Sequence, residues 1–278
     1  MPHNGTMPLV AHLRELRQRL IKSLVAILVM TIITWNFYEP LLDVLTQPFT
    51  TAIANLEAKR GVDAQLTFTG VGQPFTFQLK TSLVAGIVLA SPVWLWQIWA
   101  FIVPALHKIE RKWSLLFGAF AGPLFAAGVV LGYVVLPKGI EVLIGFTPEI
   151  VSNLVNLGDY LNFVLRTILV FGVAAEIPLF VILLNLVGVV SGRQLASSRP
   201  WIIIGIFAFA AIATPSTDPL TMLFLAVPMT VLYFVSEVVA RTLDRRKAKA
   251  APLATADDEA SDIDLGGDPD DDLPGKLD

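Results

Sequence analysis

The side chains with most to offer chemically are carboxylates placed where carboxylates are outnumbered or costly. Glu15 lies in His12-Leu13-Arg14-Glu15-Leu16-Arg17, the only acid of a basic N-terminal segment that enters a long apolar run near Leu20. Glu110 is likewise the only acid in His107-Lys108-Ile109-Glu110-Arg111-Lys112. An ionised carboxylate accepts the planar fork of a guanidinium, so two lone acids on one surface suit recognition of paired arginines. Glu15 also has an ordinary alternative, an i,i+4 pair with Arg19 contributing a few tenths of a kcal/mol. A third acid, Glu176, stands inside the apolar run Phe171-Gly172-Val173-Ala174-Ala175-Glu176-Ile177-Pro178. At membrane depth an ionisable group costs a few kcal/mol, so Glu176 must face a cavity, a functional partner or a polar group that fixes packing.

The elements that position these acids are membrane helices. The 278 residues are 55% hydrophobic and 15% charged, with a mean hydropathy of +0.68, and several apolar runs reach bilayer-spanning length. The reading is all-α and polytopic, with six spans near residues 20–38, 75–106, 113–136, 160–190, 200–213 and 220–239. Residues 1–240 form one membrane domain, and 241–278 an acidic, Asp- and Pro-rich disordered tail. Ser91-Pro92 interrupts the second span, Pro137-Lys138-Gly139 closes the third, and Pro178 kinks the fourth. A polar stretch of roughly forty residues containing Pro48 separates the first two spans. The fifth is short, about 21 Å against a hydrocarbon core of about 30 Å, and a re-entrant segment is its alternative. An even number of crossings, however, returns the basic Arg241–Lys249 segment to the side of the N-terminus.

Fourteen lysines and arginines fall on that side against three (Lys59, Arg60, Lys138) on the other, which places both termini in the cytoplasm. The first apolar run has no small-residue cleavage site after it and reads as a retained helix. Arg166 and Lys80 read as interfacial anchors, and Asp218 as an N-cap ahead of Pro219. With no cysteine and three scattered histidines, neither a disulfide framework nor a metal centre is expected, and no cofactor motif occurs. A secondary transporter using Glu176 as proton carrier is a competing reading, but no internal repeat supports it. An intramembrane hydrolase lacks HExxH, GxSxG or an aspartate pair, so no enzyme is expected.

His12-Leu13-Arg14-Glu15-Leu16-Arg17 resembles the HLxELR signature of the TatC family. Phe75, Ser91-Pro92, Gln97-Ile98-Trp99-Ala100-Phe101, Pro104-Ala105-Leu106, Glu110-Arg111, Phe171-Gly172, Glu176-Ile177-Pro178, Arg199-Pro200, Thr214-Pro215, Asp218 and Ala226-Val227-Pro228-Met229 continue the likeness in order over roughly residues 8–240. The resemblance implies a glove-shaped, six-helix core of the twin-arginine translocase, which exports folded proteins across the bacterial cytoplasmic membrane on the proton-motive force. It implies that Glu15 and Glu110 receive the twin arginines of a signal peptide, helped by Arg17, with His12, Leu16, Phe101 and Arg111 around them. It further implies that Glu176 faces the concave side, that Pro48 matters in the outer loop, and that the last two helices dock single-span TatA- and TatB-type partners through Thr214, Asp218 and position 222. Met222 stands where the family often carries glutamine, with Thr214 and Thr221 as polar substitutes. Lipid contact and self-association in a multi-subunit complex are expected, and nucleic-acid binding is not.

Overall fold

The computed structural model describes residues 9–68, 70–102, 111–148, 153–213 and 219–259. Helix α1 (Leu9–Asn36) is continuous from the HLxELR segment through the first apolar run. It stops because Pro40 lacks an N–H and its ring would strike the carbonyl four residues back, that of Asn36. The chain turns at Phe37 into α2 (Tyr38–Arg60), bent 86° from α1. The polar stretch expected between the first two spans is thus mostly helix. Leu45, Pro48, Phe49, Ala52, Ile53 and Leu56 bury one face of α2 at three- and four-residue spacing. Gly61, at φ 66°, closes α2 by donating its N–H to the Glu57 carbonyl at 3.0 Å.

Strand β1 (Ala64–Thr67) pairs in parallel with β2 (Asn153–Asn156), tying the loop after α2 to the approach of the fourth span. Helices α3 (Gln73–Leu89) and α4 (Ser91–Ile102) form the second crossing, bent by 56° at Ala90 just before Ser91-Pro92. Helix α5 (Arg111–Ile144) passes through Pro123 and Pro137. The expected stop at Pro137 is therefore wrong by two turns: Glu141 accepts from Lys59 at 2.7 Å and from Lys138 at 2.9 Å, which holds the last turns against α2. The fourth crossing is α6 (Leu157–Ala175) followed by α7 (Ile177–Val187), divided at Glu176. The Asn156 side chain caps α6, accepting from the Gly158 and Asp159 N–H groups.

A short α8 (Gly192–Ser197), α9 (Arg199–Ala213) and α10 (Pro219–Glu259) complete the chain. The tail expected to be disordered from residue 241 is helical as far as Glu259, since its Arg-, Lys- and Ala-rich stretch is made of strong helix formers. By length and composition Leu116–Ile144, Leu157–Val187 and Pro219–Arg245 each suffice to cross a membrane, α1–α2 and α3–α4 do so as bent pairs, and α9 is the shorter apolar helix. With α2 turned aside, the crossings are six, as expected.

Close packing on small residues holds the bundle together. A Cβ at Gly128 of α5 would lie 2.5 Å from the Phe171 carbonyl oxygen, and one at Gly132 would lie 2.9 Å from Phe171 Cβ, so α5 and α6 touch backbone to backbone. Three buried clusters result: one among α2, α5 and α6, one among α6, α9 and α10, and one where α4, α5 and α7 meet around Trp99.

Candidate functional site

On α1, Glu15 is held by its neighbour one turn on, and by neither Arg14 nor Arg17. The Arg19 guanidinium donates to Glu15 Oε1 through Nε at 2.9 Å and Nη2 at 2.6 Å. Its remaining nitrogen, Nη1, reaches Gln97 Oε1 on α4 at 3.5 Å. Glu15 stays 34% exposed and Arg19 24%, so the pair sits at a surface. Arg17 and Leu16 are exposed on the same helix, and Phe101 is half-buried one turn beyond Gln97. His12 lies within α1 and Arg111 opens α5. Glu110 lies outside the described residues, immediately before Arg111.

Glu176 is 4% exposed where α6 breaks into α7. Pro178 has no N–H to continue the ladder, so the chain restarts with Phe180 N–H donating to the Glu176 carbonyl at 3.0 Å. The Trp99 indole and the Phe125 backbone are the polar groups beside the carboxylate. Neither is aligned as a hydrogen bond: Glu176 Oε1, Glu176 Oε2 and Trp99 Nε1 are all buried without a partner. Buried polar groups without an aligned protein partner are few, and each calls for a function, a ligand or an internal water. Trp99 itself is immobilised by Phe117, stacked at 5.4 Å, and by Phe180 at 4.7 Å. Gln97 and Trp99 sit two residues apart on α4, which connects the neighbourhood of Glu15 to that of Glu176.

Pro48 is buried in α2. Its missing N–H frees the Val44 carbonyl, and the Tyr133 hydroxyl of α5 takes that carbonyl at 2.8 Å. The Tyr160 hydroxyl of α6 bonds the adjacent Leu45 carbonyl at 2.6 Å. Above these lies an apolar cavity of about 540 Å³ walled by Ile33, Val44, Val84, Val129 and Leu165. Lys80, read as an interfacial anchor, donates to Asn162 Oδ1 at 3.1 Å.

Thr214 and Asp218 lie outside the described residues. Met222 is half-buried, turned onto the cluster shared by α6, α9 and α10, and Thr221 is buried. Sequence reasoning passed over the polar network beside them. Buried Glu237 accepts from Arg199 Nε at 2.7 Å and Nη2 at 2.6 Å, and from Arg241 at 2.7 Å. Buried Asn185 donates to Asp244 Oδ1 at 2.7 Å, while Asp244 Oδ2 accepts the Gly192 N–H at 2.6 Å. An acid within the last span, four residues before an arginine, was the signal available for Glu237. Among the described residues, no group of three His, Asp or Glu side chains is placed to hold a metal ion.

A family model described as "Sec-independent protein translocase protein (TatC)" matches residues 11–228. The chain is 40% identical over 270 residues to the TatC protein of Frankia casuarinae, covering 94% of this chain and 74% of that one. It is also 40% identical over 281 residues to that of Corynebacterium kroppenstedtii, covering 94% and 68%. Among solved structures, one described as the twin arginine translocase receptor TatC in DDM superposes with a TM-score of 0.73 at 33% identity, covering 83% of this chain and 99% of that one.

Proposed function

This chain belongs to the TatC family of Sec-independent protein translocase proteins, and we propose that it is the subunit that receives the twin-arginine signal peptide. As a family member it is a multi-pass membrane protein of protein transport with the six-span, glove-shaped fold. The observation that carries the proposal is the state of Glu15: a half-exposed carboxylate that already accommodates a guanidinium in a two-donor contact. One arginine of the signal peptide binds Glu15 and the other Glu110, in the segment entered from α4. Arg17, His12, Leu16, Phe101 and Arg111 shape the surroundings. Lysine keeps the charge but lacks the fork, so a paired-lysine peptide binds more weakly.

Charge-assisted bonds contribute about 1.5–3 kcal/mol each, so two of them supply about 3–6 kcal/mol. Micromolar affinity requires about 8 kcal/mol. The apolar stretch of the peptide provides the remainder, lying along the concave face towards Glu176. The protein lies in a bacterial cytoplasmic membrane with both termini in the cytoplasm, a reading that the positive-inside distribution supports. TatA- and TatB-type helices dock on α9 and α10, where Leu223, Val227, Val231, Phe234 and Val238 form an exposed apolar stripe at helical spacing. With these partners, and with further copies of itself, the protein exports folded precursors on the proton-motive force. The test is binding of a labelled twin-arginine peptide to the purified protein in lipid nanodiscs. The reading requires that Glu15→Ala and Glu110→Ala each abolish it, and retained binding in either variant overturns it.

A further inference from the structure

We infer that Arg19 is a specificity-determining residue, an internal arginine that a ligand must displace from Glu15 and that only another arginine displaces well. The inference rests on the receptor reading of Glu15 given above. Both Arg19 donors converge on Oε1, at 2.9 and 2.6 Å, while Oε2 takes no hydrogen bond among the described residues. The resting site is therefore half-filled. A fork-to-fork guanidinium contact needs both carboxylate oxygens, so an incoming arginine must take Oε1 from Arg19. That exchange is like for like: two N–H donors leave and two arrive.

An ammonium group cannot match the exchange. Lysine presents a compact charge that can approach Oε2, where it meets the Arg19 charge at close range. If it displaces Arg19, it replaces a planar two-donor contact with a weaker one. Arg19 thus raises the threshold for every cation and raises it most for those without the fork. The displaced side chain is not stranded. Its third nitrogen already faces Gln97 Oε1 on α4 at 3.5 Å, at the edge of bonding distance, and can close on it when Glu15 is given up. Glu15 and Arg19 are 34% and 24% exposed, so the exchange needs no opening of the helix packing.

The experiment measures nanodisc binding of two fluorescent peptides, identical except for paired arginines or paired lysines, to wild type, Arg19→Gln, Arg19→Lys and Glu15→Ala. Tryptophan fluorescence melts accompany each variant to establish folding. Removal of an exposed i,i+4 competitor corresponds to about a two- to fivefold change. Arg19→Gln should tighten the arginine peptide by about that factor and the lysine peptide by more, so that the preference for arginine narrows. Arg19→Lys, which keeps the charge and loses the fork, should fall between. Unchanged or weaker binding of the arginine peptide by folded Arg19→Gln overturns the inference, as does an unchanged ratio between the peptides in both variants. Should Glu15→Ala bind the arginine peptide as wild type does, the receptor reading itself fails. Loss in Glu15→Ala with no gain in Arg19→Gln refutes the displacement alone.

Discussion

Replacing Glu176 with leucine should make this protein more stable and less active. The carboxylate is 4% exposed, and neither of its oxygens has an aligned hydrogen bond to another protein group. An unpaired buried polar group costs about 1–3 kcal/mol when neutral, and more when ionised. Leucine removes that cost, keeps most of the volume, and introduces a shape mismatch against Trp99 and Phe180 of up to about 1.5 kcal/mol. The net expectation is a gain of about 1–2 kcal/mol, read as a rightward shift of guanidinium unfolding in detergent followed through the six tryptophans. Export of a folded reporter should fall in the same variant, as expected where an unfavourable group is retained for function. Glu176→Met, equally apolar but flexible, separates chemistry from shape. If both variants are less stable than wild type, Glu176 is a satisfied structural residue, and the reasoning from its unpaired oxygens is wrong.

Gly128→Ala should destabilise by about 1–3 kcal/mol, because its Cβ would sit 2.5 Å from the Phe171 carbonyl oxygen. Gly205→Ala, with nothing within 4 Å of the added carbon, should instead stabilise α9 by up to about 1 kcal/mol in the same unfolding assay. Tyr133→Phe should cost about 0.5–1.5 kcal/mol alone and much less on a Pro48→Ala background, where residue 48 regains an N–H for the Val44 carbonyl; a double-mutant cycle measures the coupling. Raising salt from about 0.05 to 0.5 M should weaken twin-arginine peptide binding several-fold while leaving the melting midpoint nearly fixed, since the exposed acid at Glu15 is screened and the apolar core is not.

The crossings were legible because apolar run length and the asymmetry of basic residues act over twenty or more residues at a time. The α1–α2 corner was legible in part: Pro40 marks the break, and the spacing of Leu45, Phe49, Ala52, Ile53 and Leu56 carries the period of a one-sided helix, hidden among polar residues that lower its mean hydropathy. Continuation of α5 past Pro137 was not legible, since the Lys59–Glu141 contact that holds it joins residues 82 apart. At the candidate site, residue type and isolation singled out Glu15 and Glu176. Arg19 was visible as a partner from its i,i+4 spacing, whereas its contact with Gln97, 78 residues away, depends on how α1 leans on α4. The Arg199–Glu237–Arg241 network was missed for the same reason: a buried acid clasped by a distant arginine looks, in sequence, like any acid at the end of a span.

The carbonyl that Pro48 releases on α2 gives that helix a fixed index position. A carbonyl freed within a membrane protein must find a donor, and the Tyr133 and Tyr160 hydroxyls take those of Val44 and Leu45, with Gln47 Oε1 of the next turn 3.1 Å from the Tyr133 hydroxyl. Sliding α2 by one residue, about 1.5 Å, would carry the freed carbonyl away from its donor and leave both unmatched. A helix held in this way has a detent: it resists translation along its axis, because a one-residue slide forfeits both hydroxyl bonds at once.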